Sequence, residues 1–236
     1  MSDLVETLGR IRVLPVLSAP DADGAEAACR ALLAGGISCV EITFRTDAAA
    51  DAIRRATGID GLLVGAGTVL SVEQAEAAAA AGARFAVAPG TSETVVEACR
   101  GLGLPFFPGV ATPSEIERAR ALGCDTLKVF PAATIGGVAF LRAVSAPYRD
   151  VRFVPTGGID ASNLAAYLAV PSVLACGGSW LCDQAMIRDG RFDEIERLAR
   201  EAVEAASRPA GAAAGEGRAS ARSSGVADGA GPEVTV

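Results

Sequence analysis

The strongest constraint on the fold is an alternation that runs the length of the chain. A short apolar run is followed by a polar or glycine turn, then an alanine-rich helical pattern, then a glycine. Helical patterns end at Ala34-Gly35-Gly36, Ala81-Gly82-Ala83, Leu102-Gly103-Leu104 and Leu122-Gly123-Cys124. Glycine in these places supplies the left-handed residue that stops a helix and satisfies its last carbonyls. The apolar runs predict strands at 12–17, 39–44, 62–65, 85–88, 105–109, 126–130, 152–155 and 172–176. A short helix over 3–9 precedes the first of them, and further helical patterns cover 72–82, 92–101, 113–122, 138–145, 162–169 and 181–205.

Two helix starts are chemically marked. Ser71 with Gln74, and Thr112 with Glu115, have the spacing of capping boxes, and Pro113 occupies the first helical position of the second. Strands alternating with helices imply a parallel sheet. Eight such units, in a chain just short of the usual ~250 residues, predict an α/β protein with a (β/α)8 TIM barrel and a short N-terminal helix. A doubly wound open sheet is the competing topology. It would carry a glycine fingerprint after its first strand, and Ser18-Ala19-Pro20-Asp21 is not one. From residue 207 the composition turns to Ala, Gly and Ser with almost no large apolar side chains. Such a segment cannot bury enough surface to fold, so the expected division is a barrel domain over 1–206 and a disordered tail over 207–236.

Composition removes whole classes of chemistry. Histidine is absent, which excludes histidine-dependent nucleophiles, histidine general bases and histidine-ligated metals. The formal charge of −7, with no basic run, argues against a nucleic-acid partner. The six cysteines form no CxxC pair and read as buried thiols of a reducing compartment. The first residues hold acidic side chains and no apolar core of a signal peptide, and no apolar span is long enough to cross a bilayer. The expectation is a cytoplasmic protein with no membrane partner.

Against this background one residue stands out. Lys128 is the only lysine of the chain; every other basic residue is an arginine. It lies inside an apolar strand, where the ordinary use of a lysine is to run its stem across the core and bring its head to the surface. Arginine would serve that purpose too, but arginine cannot deprotonate or form an imine, and lysine can. Side chains alternate along a strand, so Val40 and Ile42 facing the helices puts Glu41, Thr43 and Arg45 on the interior face. The same parity turns Lys128 and Phe130 inward. Glu41 and Lys128 are then expected to share one enclosed space. A purely structural ion pair there is weak evidence for stability, and a catalytic pair is favoured. Lys128 would attack a ketone, Glu41 would shuttle protons, and Arg45 would hold a carboxylate. Glycine-rich turns follow the last two strands, at Thr156-Gly157-Gly158 and Gly177-Gly178-Ser179. Barrels of this type commonly bind phosphate there.

Six motifs stand in order: Glu41-Ile42-Thr43-Phe44-Arg45-Thr46, Gly65-Ala66-Gly67-Thr68-Val69, Pro108-Gly109-Val110, Leu127-Lys128-Val129-Phe130-Pro131-Ala132, Pro155-Thr156-Gly157-Gly158-Ile159 and Gly177-Gly178-Ser179-Trp180. With them the chain resembles the 2-keto-3-deoxy-6-phosphogluconate (KDPG) / 4-hydroxy-2-oxoglutarate (KHG) aldolases over about residues 4 to 205. The resemblance implies a class I lyase that needs no metal or other cofactor. Its reaction splits 2-dehydro-3-deoxy-6-phosphogluconate reversibly into pyruvate and glyceraldehyde 3-phosphate, as in the Entner–Doudoroff pathway. It implies Lys128 as the Schiff-base residue and Glu41 as proton acceptor. Arg45 and Thr68 would bind the pyruvate carboxylate, and Pro89 and Phe130 would pack around its carbons. Thr156 would lie near the C4 hydroxyl, and Gly157, Gly158, Gly178 and Ser179 would hold the phosphate. The family is typically a homotrimer. KHG and the galactonate epimer of the phosphosugar are alternative substrates; a non-catalytic phosphosugar-binding barrel and a metal-dependent aldolase are alternatives of a different kind.

Overall fold

The computed structural model describes residues 2–207; the tail expected over 207–236 lies, apart from its first residue, outside the described residues. The chain forms an α/β fold in which every strand pairing is parallel. After α1 (Ser2–Ile11) come β1 (Val13–Leu17), α2 (Ala22–Ala34), β2 (Cys39–Thr43), α3 (Ala49–Ala56), β3 (Leu63–Gly67), α4 (Val72–Ala80), β4 (Phe85–Val87) and α5 (Glu93–Gly101). The second half holds β5 (Phe106–Phe107), β6 (Gly109–Val110), α6 (Pro113–Ala121), β7 (Thr126–Val129), α7 (Gly137–Ser145), β8 (Arg152–Pro155), α8 (Leu164–Leu168), β9 (Cys176–Gly178), α9 (Gln184–Arg188) and α10 (Phe192–Ser207).

The strands lie in two sheets, ordered β5-β4-β3-β2-β1-β9 and β6-β7-β8. Two parallel bridges continue the pairing, Phe153 of β8 with Val173 in the run before β9 and Thr156, just after β8, with Gly177 of β9. At the other end, β5 and β6 are parts of the single strand expected over 105–109, interrupted by Pro108. Proline has no N–H to give a ladder, yet its carbonyl still accepts from the Lys128 amide at 2.9 Å. β1, β2 and β7 are buried along their whole length, as parallel strands covered on both faces must be. The helices meet them through small side chains; α2 buries Ala25, Ala28, Cys29, Ala31 and Leu32. No helix among the described residues is long and apolar enough to cross a membrane.

Local signals in the sequence act as their chemistry requires. Gly36, Gly82, Gly103 and Gly123 have φ of +93°, +91°, +66° and +80°, the left-handed conformation that ends a helix. Thr112 accepts from the Glu115 amide at 3.3 Å, and the Glu115 carboxylate accepts from the Thr112 amide at 2.9 Å, so that capping box is complete. At α4 only half of the box forms: Ser71 accepts from Gln74, whose side chain reaches past it to the Leu70 amide at 2.7 Å.

Three expected boundaries are corrected. The run over 172–176 contributes one bridge, and the regular strand lies later, at Cys176–Gly178. The helix expected over 181–205 is two, broken where Gly190 adopts φ +66°. β2 ends at Thr43, so Arg45 belongs to the turn that follows and not to the interior face of the strand.

Candidate active site

Five polar or charged residues are buried among those described: Glu41, Thr43, Thr126, Lys128 and Thr156. Two of them, Glu41 and Lys128, form the centre of the site. Glu41 comes from the middle of β2 and Lys128 from β7, and both point into the interior because they sit at the inward parity of their strands. Lys128 Nζ donates to Glu41 Oε1 at 3.1 Å and lies 3.5 Å from Oε2. Lys128 is 4% exposed and Glu41 1%. They are the only buried charged residues among those described, so each is the other's sole neutralising partner there. Thr43, one inward position further along β2, donates its hydroxyl to the Leu17 carbonyl at 3.1 Å and is satisfied.

The mouth of the site is built from strand ends. Phe130 follows Lys128 at the end of β7, and its ring centroid is 5.8 Å from Nζ. Gly109 pairs with Lys128 in register, and the Pro89–Gly90 peptide packs flat on its Cα. A Cβ on Gly109 would lie 2.0 Å from the Pro89 carbonyl oxygen, so glycine there is what brings Pro89 up to the lysine strand. Thr68 is half-buried directly beyond β3, with φ of +57°. A non-glycine residue in that region carries about 1–3 kcal/mol of backbone strain, which is tolerated most often at functional sites.

Thr156, at the end of β8, is 7% exposed, and its Oγ1 is the one buried side-chain polar atom among the described residues with no hydrogen-bond partner. The turn after it is laced to the end of β7: Ala132 donates to the Thr156 carbonyl at 2.8 Å and Ala133 to the Gly157 carbonyl at 3.0 Å. Gly157 and Gly158 take φ of +98° and +74°, and Gly157 lies against the Phe130 ring. Gly178 is buried under the Trp180 ring, while Ser179 is exposed at the end of β9.

Lys128, Glu41, Phe130, Pro89, Thr156 and Gly157 are thus tied together by direct contact or by shared strand ends. Arg45 is exposed in the turn after β2 and takes part in no ion pair among the described residues. Two glycines read in the sequence only as parts of glycine-rich motifs, Gly67 and Gly177, were given no role of their own. Their signal is positional: each sits at an inward-facing strand position beside a polar residue of the neighbouring strand. A Cβ on Gly177 would lie 2.1 Å from Thr156 Oγ1. No group of three or more His, Cys, Asp or Glu side chains among the described residues is placed to hold a metal ion.

Fold and site together define a parallel α/β protein whose interior sets one amine against one carboxylate across two buried strands. The family described as KDPG and KHG aldolase matches residues 4–198. A 2-dehydro-3-deoxy-phosphogluconate aldolase of Treponema pallidum (strain Nichols) is 48% identical over 206 residues, 86% of this chain and 98% of its own. The KHG/KDPG aldolase of Escherichia coli (strain K12) is 43% identical over 195 residues, 82% and 92% of the two chains. The KDPG aldolase of Legionella pneumophila, solved with pyruvate captured at low pH as a covalent carbinolamine intermediate, superposes with a TM-score of 0.80 at 36% identity, covering 83% of this chain and 96% of that one. The chain belongs to the KDPG and KHG aldolase family.

Proposed function

We propose that the chain is a class I aldolase, a lyase that cleaves 2-dehydro-3-deoxy-6-phosphogluconate reversibly to pyruvate and glyceraldehyde 3-phosphate through a Schiff base on Lys128. The observation that carries this reading is the buried contact of Lys128 Nζ with Glu41 at 3.1 Å. An amine that passes its proton to an adjacent carboxylate becomes a nucleophile, and the same carboxylate then returns protons where they are needed.

The steps follow from that pair. Neutral Nζ adds to the C2 ketone, and the resulting carbinolamine loses water as Glu41 supplies a proton to the departing hydroxyl. The iminium draws electrons from the C3–C4 bond. As that bond breaks, Glu41 removes the proton of the C4 hydroxyl, the aldehyde departs, and an enamine remains on the lysine. Protonation at C3 regenerates the iminium, and hydrolysis frees pyruvate and the amine. Preorganised polar groups in a site closed to water lower the barrier for each charge that develops.

In the same reading Arg45 and Thr68 hold the pyruvate carboxylate, and Pro89 and Phe130 pack around the pyruvate carbons. Thr156 donates its unpaired hydroxyl near the C4 oxygen, and Gly157, Gly158, Gly178 and Ser179 bind the phosphate. Exposure of Arg45 without an ion-pair partner leaves its guanidinium available to an incoming anion. The left-handed backbone at Thr68 and the orphan hydroxyl of Thr156 support their roles in the same way. The meeting of the two sheets at Pro108 and at the Thr156–Gly177 bridge supports their being arcs of one (β/α)8 barrel. The catalytic domain is residues 1–206, with 207–236 a separate tail, and the protein works as a cytoplasmic homotrimer, as the family resemblance implies.

The name of the Escherichia coli relative favours KHG as a second substrate. Turnover of the phosphogluconate-derived acid, its galactonate epimer and KHG under one set of conditions tests the choice. The first is expected to be cleaved fastest; a clear preference for the unphosphorylated compound contradicts that choice.

A further inference from the structure

Beside the Lys128–Glu41 pair lies a residue that none of the roles above includes. In the β2–β3 register Glu41 faces Gly65, and Gly67 faces Thr43. Glu41 nevertheless does not lie over Gly65. That space is filled by the Phe85 ring, whose nearest carbon would be 2.2 Å from a Cβ built on Gly65. The Glu41 side chain instead rises along the strand and rests its carboxylate on the bare Cα of Gly67. A Cβ on Gly67 would lie 2.2 Å from Glu41 Oε1, 2.5 Å from Cγ and 2.7 Å from Cδ. These distances lie far inside van der Waals contact, so the carboxylate and a Gly67 side chain cannot occupy the site together.

The backbone gives no other reason for glycine at this position. Gly67 is the last residue of β3 and is not among the residues with positive φ, so alanine meets no left-handed backbone penalty there. Phe85 below and the Phe107 ring packed on it at 5.6 Å leave no room for the carboxylate to drop toward Gly65.

We infer that Gly67 is a positioning residue for Glu41: the volume of its missing side chain holds the carboxylate within reach of Lys128. This rests on the reading of Glu41 as the proton-transfer group, and it assigns Gly67 no contact with substrate. Misplacing a catalytic group by about 1 Å costs on the order of 10²-fold in rate. A methyl group at Gly67 forces a shift of that size on Glu41 and leaves Lys128 in place, so the imine forms more slowly but is still trapped.

The test uses the full chain with Gly67→Ala, Glu41→Ala and the double variant. It reads three quantities: borohydride trapping of pyruvate, exchange of the pyruvate C3 protons with deuterated solvent, and Tm. Gly67→Ala is expected to keep trapping at Lys128 and to slow exchange by about 10–10²-fold. In the Glu41→Ala background the same substitution is expected to leave exchange unchanged and to cost no Tm, because the clashing atoms are gone. If Gly67→Ala fails to fold while the double variant folds, the steric relation stands; if both fail where Glu41→Ala folds, Gly67 serves the fold and the inference is overturned. Wild-type exchange in Gly67→Ala also overturns it. Wild-type exchange in Glu41→Ala instead defeats the assignment of Glu41, a separate outcome.

Discussion

Lys128 Nζ and Glu41 Oε1 stand 3.1 Å apart although the residues are 87 positions apart in sequence, and both are almost wholly withdrawn from solvent. Removing two charges from water costs several kcal/mol per ion, and their attraction seldom returns more than that. A pair held in this way is poor value as structure and well suited to passing a proton between an amine and a carboxylate.

Replacement of the lysine separates charge from nucleophilicity. Lys128→Arg keeps a cation facing Glu41 but cannot form an imine. Cleavage is expected to vanish while far-ultraviolet circular dichroism stays that of the parent. Residual turnover at the parent rate assigns the chemistry to another residue.

Glu41→Gln keeps the size of the side chain and removes its ability to take up a proton. Pyruvate binding is expected to persist, whereas solvent exchange of the pyruvate C3 protons slows by about 10²–10⁴-fold. An unchanged exchange rate moves the base elsewhere.

The orphan hydroxyl of Thr156 sets stability against activity. A buried polar group without a partner costs about 1–3 kcal/mol, and valine keeps the branched shape without the oxygen. Thr156→Val is expected to hold or raise Tm while lowering the cleavage rate and the preference between C4 epimers. A lower Tm with full activity and unaltered stereochemistry contradicts a substrate-facing role.

The buried thiols predict a loss of stability in alkali. Burial pushes Cys29 and Cys39 from the ordinary thiol value of 9.0 up to about 12, with Glu26 adding to the effect on Cys29. Between those limits the unfolded chain has released protons that the folded chain retains, so stability is intact below pH 9 and falls as pH rises toward 12. Each such thiol contributes a slope of about 1.4 kcal/mol per pH unit. Denaturant midpoints measured from pH 8 to 11 are expected to fall, and to fall less steeply in Cys39→Ala. An identical slope in that variant contradicts the account.

The fold was readable wherever a local signal was strong. Helix-ending glycines, the Thr112–Glu115 capping box and continuous apolar runs each have a short-range cause, and they located most elements to within a few residues; α3 (Ala49–Ala56), which has neither a capping side chain nor a glycine stop, was not anticipated. Misplaced boundaries arose where long-range packing decides. The last strand takes its position from pairing with β1, where Val13, Leu14 and Pro15 meet Cys176, Gly177 and Gly178. The site was readable through parity: one lysine and one glutamate at inward positions of two strands. Parity was carried one step too far at Arg45, since the strand had already ended at Thr43. The role of Gly67 was invisible because a missing side chain acquires meaning only when the atom occupying its space is known.

Imine formation on Lys128 is the step on which all the others rest. Borohydride reduction in the presence of pyruvate, followed by peptide mapping, measures it. The prediction is one reduced pyruvyl adduct per chain, on Lys128, with none formed when borohydride acts without pyruvate. Reduction that leaves Lys128 unmodified while the enzyme continues to cleave its substrate would contradict the Schiff-base mechanism.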